Sequence, residues 1–322
     1  MTAGRCGGSI VPLDNPCTGA QFAREVPVKP APTTLESPAV YRPLHPGMRI
    51  LLGVFAVLTA MATGALFVLA ESTEETFAWT IDPPLTAAFI GAGYAAGFVL
   101  VVLCLRDPLW AHSRVPVFTI FVFVVLTTTA TLLHINRMHF DDDFGGLDFL
   151  AKAAAWFWLA VYIVVPIAML VLIVVQERAG GDDPPPRHPV PVVLRVALAV
   201  ESAALLVVGA LLYVRPTTAT SVWPWALTPF TARVVAAWLL AFGLATALAA
   251  VAGDLRRLRT AAIAYTVFGV LVLVAVARFS ATLDWGSAGS WLFVAMAVAV
   301  VLTGAAGWRL APTPVRAARH RG

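Results

Sequence analysis

The sequence predicts an all-α, polytopic bundle of eight membrane-crossing helices, and three observations carry that prediction. Of the 322 residues, 59% are hydrophobic and only 12% charged, with a mean hydropathy of +0.83. A soluble domain carries about 25% charged residues, so a water-soluble globule around one buried core is excluded. Eight stretches reach the ~20 largely apolar residues that a helix needs to cross a bilayer. They cover 48–70, 84–105, 115–135, 153–175, 192–214, 230–252, 260–278 and 290–310. Finally, Lys and Arg fall unevenly on the loops. With the N-terminus in the cytoplasm, 17 of the 22 basic residues lie inside and 5 (Arg137, Lys152, Arg215, Arg233 and Arg278) outside, which is the positive-inside bias. Both termini are then cytoplasmic, as an even number of spans requires, and the membrane is the cell membrane. The net charge of +4 follows from this topology and does not point to a nucleic-acid partner.

Taken in order, residues 1–47 hold no apolar signal-peptide core and are rich in Pro and Thr, which predicts a disordered cytoplasmic tail. Span 1 stops at Glu71. Span 2 stops at Arg106-Asp107-Pro108 and carries Gly91, Gly93 and Gly97, a small-residue face suited to close helix packing. Span 3 carries the hydroxyls of Thr127, Thr128, Thr129 and Thr131, and span 4 completes a first transmembrane half over 48–178. The linker over 179–191 includes Pro184-Pro185-Pro186 and cannot be helical throughout. Spans 5 to 8 form a second half over 192–310, with span 6 stopping at Gly253-Asp254, and 311–322 is a basic tail. Apolar residues run all round each span, so none is an amphipathic surface helix. Cys6, Cys17 and Cys104 make no disulfide framework and no CxxC pair.

Spans 2 and 6 open with related text: Trp79-Thr80-Ile81-Asp82-Pro83-Pro84-Leu85-Thr86-Ala87 and Trp225-Ala226-Leu227-Thr228-Pro229-Phe230-Thr231-Ala232. The spacing predicts a repeated helix start. Asp82 and Thr228 are the expected N-caps, with Pro83 and Pro229 at the first helical position, where a missing N–H costs nothing. The copies stand four spans apart, so the halves are expected to form a parallel 4+4 repeat about an axis along the membrane normal. Seven of the ten tryptophans (Trp79, Trp156, Trp158, Trp223, Trp225, Trp285 and Trp291) fall at the outer ends. An aromatic belt at headgroup level is the expected reading, with an aromatic ligand box as the alternative.

No catalytic residue is predicted. GxxxxGK[ST], HExxH and GxSxG are absent, which disfavours a nucleotide site, a zincin and a serine-hydrolase elbow. Gly286-Ser287-Ala288-Gly289 is similar to the motif of intramembrane serine proteases, but spans 5 to 8 hold no His to serve it. Asp141-Asp142-Asp143 with Asp148 lacks the spacing of membrane prenyltransferases and reads as an exposed acidic loop. His134 and His139 with Asp141 could coordinate a divalent metal on the outer face through imidazole and carboxylate; a polar helix end explains the same residues. Haem is disfavoured, because only His134 approaches a span and no second His matches its depth.

Glu201 is the intramembrane ionisable residue, nine residues into span 5 and near mid-bilayer at ~1.5 Å per residue. A carboxylate there costs on the order of 2.5–3.5 kcal/mol, so it is expected to face the bundle, protonated or partnered. Arg233 and Arg278 lie near the outer ends and snorkel outward, too shallow to meet it. With its eight spans, its Ala, Val and Arg richness and its Trp-x-Ile-x-Pro-Pro-x-Thr-Ala opening of span 2, the chain resembles uncharacterised multipass integral membrane proteins of the actinobacterial type over 48–310. The resemblance implies no activity. The sequence points to a module in the lipid bilayer that transports or binds a small molecule or ion. A non-catalytic scaffold or assembly subunit is the alternative, and a polytopic membrane enzyme the third reading. A water-filled cavity reaching Glu201 marks the first, a dry core there the second, and polar groups converging on an outer cavity the third.

Overall fold

A computed structural model describes residues 40–140, 149–219 and 223–312. Among them the chain is helical, and β-pairing is confined to isolated bridges. The elements are α1 (Pro46–Thr63), running on as a π-turn (Gly64–Val68), α2 (Thr73–Thr76), α3 (Pro84–Arg106), α4 (Trp110–Leu133) and α5 (Phe149–Arg178). After the linker come α6 (Val192–Val214), α7 (Pro216–Ala219), α8 (Pro229–Ala252), α9 (Leu255–Arg278) and α10 (Ala288–Leu310). All but α2 and α7 are long and apolar enough to cross a membrane, giving eight spans. The protein is an all-α polytopic helical bundle and an integral membrane protein.

Local chemistry sets the helix ends. Thr228 caps α8 through a capping box, its hydroxyl accepting from Thr231 N at 3.2 Å while Thr228 N donates to Thr231 Oγ1 at 3.0 Å. The expected counterpart at α3 is corrected. Asp82 is exposed and caps nothing; Pro83 holds the N-cap position and Pro84 is the first helical residue. The reason is the second proline. A residue that precedes proline is pushed out of the helical region, so Pro83 stays extended (φ −75°, ψ 164°) and the helix starts one residue late.

The helices α3 and α8 form the interior. Of the apolar window of each, 56% is buried, against 28% for α1 and α5 and 22% for α10. α3 packs on α1 and α9, and α8 packs on α6 and α4. Taken in chain order, these pairings match. One pairing differs: α10 lies closely along α9, whereas α5 touches α4 far less.

Most arginines sit at one end of the bundle, and matching contacts recur there. Ahead of α1, Leu44 N donates to Pro108 O (2.8 Å) and Arg42 O accepts from Trp110 N (3.1 Å). Ahead of α6, Val190 N donates to Gly253 O (3.1 Å) and His188 O accepts from Leu255 N (2.8 Å). Arg49 donates to Leu105 O at 3.1 Å, and Arg195 donates to Ala250 O at 2.8 Å. Gln176, fully buried, ties the end of α5 to the start of α1 by accepting from His45 N (2.7 Å) and donating to Pro43 O (3.0 Å).

Candidate functional site

A cavity of about 470 Å³ lies in the first half, between α1, α3, α4 and α5, with Trp238 and Phe242 of α8 on its far wall. Its volume falls in the range of small-molecule sites. No lining residue is charged. Three lining side chains are about half exposed, Met61 (57%) on α1 and Leu150 (56%) and Phe157 (49%) on α5, so the space borders the outer surface of the bundle along those helices. Two phenols, Tyr94 from α3 and Tyr162 from α5, line the cavity and share a hydrogen bond of 2.6 Å.

The cavity exists because α5 is held to α4 at few points. Thr128 donates to Tyr162 O at 2.7 Å, and Trp158 donates its indole N–H to Thr131 Oγ1 at 3.1 Å. Elsewhere the facing residues are apolar and leave space, as Ile120 of α4 and Ala154 of α5 do.

Glu201 sits in the other half. It is 5% exposed on α6 and accepts from Tyr265 of α9 at 3.1 Å and from Thr303 of α10, whose hydroxyl lies 3.0 Å from each carboxyl oxygen. One carboxyl group thus joins three helices. A small hollow of about 60 Å³ borders Tyr265 and Thr303; the 470 Å³ cavity does not reach Glu201.

The repeated text is brought together across the two copies. Trp225 donates to Thr86 Oγ1 at 2.8 Å, and Trp79 packs on Phe230 with ring centroids 4.7 Å apart. The expected belt is therefore corrected in part. Trp79, Trp158 and Trp225 are buried inside the protein, because aromatic rings and a hydroxyl on facing helices meet them there; Trp156, Trp285 and Trp291 remain exposed.

The two histidines are held in separate networks. His134 Nε2 accepts from Arg233 Nη1 at 2.6 Å and its ring stacks on Phe230. His139 is buried; its Nδ1–H donates to Phe77 O (3.0 Å), leaving Nε2 to accept from Thr80 (3.1 Å). Burial lowers both imidazoles from their ordinary value; Arg233 and Arg137 lower His134 further, while Phe77 O and Glu74 partly oppose the shift at His139. Asp141 lies outside the described residues, and among those described no cluster of three metal-ligating side chains occurs.

Sequence reasoning passed over Tyr94, Tyr162, Tyr265 and Thr303. A signal was present: only five tyrosines occur in the chain, and these three stand well inside spans, away from the interface where tyrosine usually settles. No family model, curated protein or solved structure matches the chain.

Proposed function

We propose that the protein is a membrane-embedded binding module for an apolar small molecule, which reaches the cavity of the first half sideways from the bilayer. The single observation that carries this reading is the uncharged 470 Å³ space bordered by exposed side chains of α1 and α5. An apolar cavity of this kind stays dry and takes hydrophobes, whereas an ion would find nothing there to replace its hydration shell. Glu201, partnered by the hydroxyls of Tyr265 and Thr303 in the other half, serves to hold α6, α9 and α10 together.

The same reading takes the halves as parallel copies. Pro43 and Pro189, Arg49 and Arg195, Trp79 and Trp225, and Pro83 and Pro229 each stand 146 residues apart. The recurring hydrogen bonds of Arg49 and Arg195 and the matching helix pairings support it. The arginine-rich end faces the cytoplasm of the cell, as the positive-inside bias requires.

Native mass spectrometry of the protein released from mild detergent tests the binding reading. Wild type is expected to retain one apolar adduct. The cavity-filling variant Ala62→Phe/Ala154→Phe is expected to lose it while keeping its thermal stability. Equal retention by both would overturn the proposal.

A further inference from the structure

The hydrogen-bond account of the cavity does not balance, and the imbalance points to the chemistry of its occupant. Three lining threonines spend their protons locally: Thr59 on Phe55 O (2.6 Å), Thr76 on Ser72 O (2.7 Å) and Thr119 on Val115 O (2.9 Å). Trp158 spends its indole N–H on Thr131, whereas the indole N–H of Trp238, which also lines the space, has no partner among the described residues. Tyr94 and Tyr162 bring two phenolic protons but share one hydrogen bond of 2.6 Å. When Tyr162 donates, the proton of Tyr94 has no acceptor among the described residues; when Tyr94 donates, the Tyr162 hydroxyl has Thr127 Oγ1 of α4 beside it.

A buried donor without an acceptor is costly, while an acceptor supplied by a ligand removes that cost. No carboxylate lines the space. The group that completes the pair must accept a hydrogen bond, carry no charge and enter through hydrocarbon.

Resting on the reading of this cavity as an apolar binding site, we infer that its occupant is a neutral, bilayer-soluble carbonyl compound whose oxygen accepts from the donors left unspent there, a phenolic proton of the Tyr94–Tyr162 pair or the indole N–H of Trp238. Esters and conjugated ketones such as quinones share this chemistry. The rest of the occupant lies against the apolar wall formed by residues such as Phe123, Val124 and Phe157.

The proton count gives an unusual mutational signature. Tyr94→Phe removes one proton and one partner, and the remaining phenol still has a free proton; Tyr162→Phe does the same from the other side. With Trp238 in place each single variant should therefore keep a preference for carbonyl ligands, and only Tyr94→Phe/Tyr162→Phe/Trp238→Phe, which removes every unspent donor, should lose it. Thr127→Val, which removes the hydroxyl beside Tyr162, should not lower the preference.

The experiment measures binding of undecane and 2-undecanone to purified protein, each referred to its partition into the same protein-free micelles. Wild type and both single variants are expected to bind the ketone about tenfold more tightly than the alkane, the size of one hydrogen bond. In the triple variant the ratio falls to about one while undecane binding persists. Methyl decanoate and a decyl-substituted benzoquinone, run in parallel, separate ester from quinone. If wild type binds alkane and ketone equally, the carbonyl inference fails and the binding reading stands. If neither binds, the binding reading itself fails.

Discussion

In the second half of the bundle α10 lies flush along α9, and in the first half α5, its counterpart under the proposed repeat, stands away from α4. The residues at the two seams differ in kind. A Cβ on Gly304 would come within 2.8 Å of Thr266 N and 3.0 Å of Ala262 O, so α9 and α10 meet backbone to backbone. Above that contact Glu201 gathers the hydroxyls of Tyr265 and Thr303. Under the proposed repeat, Phe55 precedes Glu201 by 146 residues and Ile120 precedes Tyr265 by 145, the interval that also separates the ends of α4 and α9. Both Phe55 and Ile120 line the cavity. The comparison teaches why one seam closes. Lipid tails compete with Leu and Phe for apolar contact, so in a bilayer small residues and shared hydrogen bonds decide where helices join.

The largest expected effect breaks the closed seam. Gly304→Ala drives a methyl into the backbone of α9 and is expected to cost about 3 kcal/mol. Gly97→Ala, beside the cavity, meets only side-chain atoms at ordinary contact distance, Thr59 Cγ2 at 3.6 Å and Trp238 Cη2 at 4.0 Å, and should change stability by less than ~0.5 kcal/mol. Thermal unfolding in one detergent compares the two directly, and equal losses would remove the distinction between the halves.

Next in size is the carboxyl clasp. Glu201→Leu strips Tyr265 of its acceptor and is expected to cost about 2 kcal/mol; Glu201→Gln keeps an accepting oxygen and should cost less than ~1 kcal/mol. A Gln variant as unstable as the Leu variant would show that the charge, not the hydrogen bonding, holds the helices.

The turns at the arginine-rich end give a smaller contrast. Asp254, the α9 N-cap, accepts from Arg187 N (2.7 Å), His188 N (3.2 Å), Arg256 N (2.8 Å) and Arg257 N (3.2 Å). Asp107 holds only Leu109 N (3.0 Å) and His112 Nδ1 (2.7 Å). Asp254→Ala should cost about 1–2 kcal/mol, and Asp107→Ala less. Burial alone would raise the Asp254 carboxyl, but its four backbone donors outweigh burial and hold it below its ordinary value. Its contribution is therefore complete above the unfolded carboxyl value and lost as pH falls through the folded one. Asp254→Asn should flatten that part of the acid-denaturation profile.

The smallest effect lies at the opposite end, at His139. Burial lowers its imidazole from 6.5, so the unfolded chain takes up a proton first on acidification. Stability is present above the unfolded value and declines as pH falls below it. A variant with His139→Gln should lose less stability than wild type between pH 7 and pH 5, as read by thermal unfolding.

The eight spans were legible because hydropathy and length leave few alternatives in a lipid solvent, although α4 and α9 begin at Trp110 and Leu255, ahead of the apolar stretches expected at 115 and 260. Glu201 was legible as a buried, partnered carboxyl, but its partners were not, since Tyr265 and Thr303 come from helices 64 and 102 residues away in sequence. The α3 start was misplaced by one residue because the effect of Pro84 on Pro83 was not weighed. The cavity left no mark in composition. Phe55, Ile120 and Ala154 look like any other apolar span residues, and only the spacing of α5 from α4 turns them into a wall.

The central claim is that the first half, and not the second, receives a hydrophobe from the bilayer. Diffusing a bromine-tagged alkane into crystals of the protein and locating bromine by anomalous scattering tests it most directly. The account predicts a peak between α1 and α5, in contact with Phe55, Ile120 and Tyr162, and none between α6 and α10. Bromine in both halves, or a first-half cavity left empty, would contradict it.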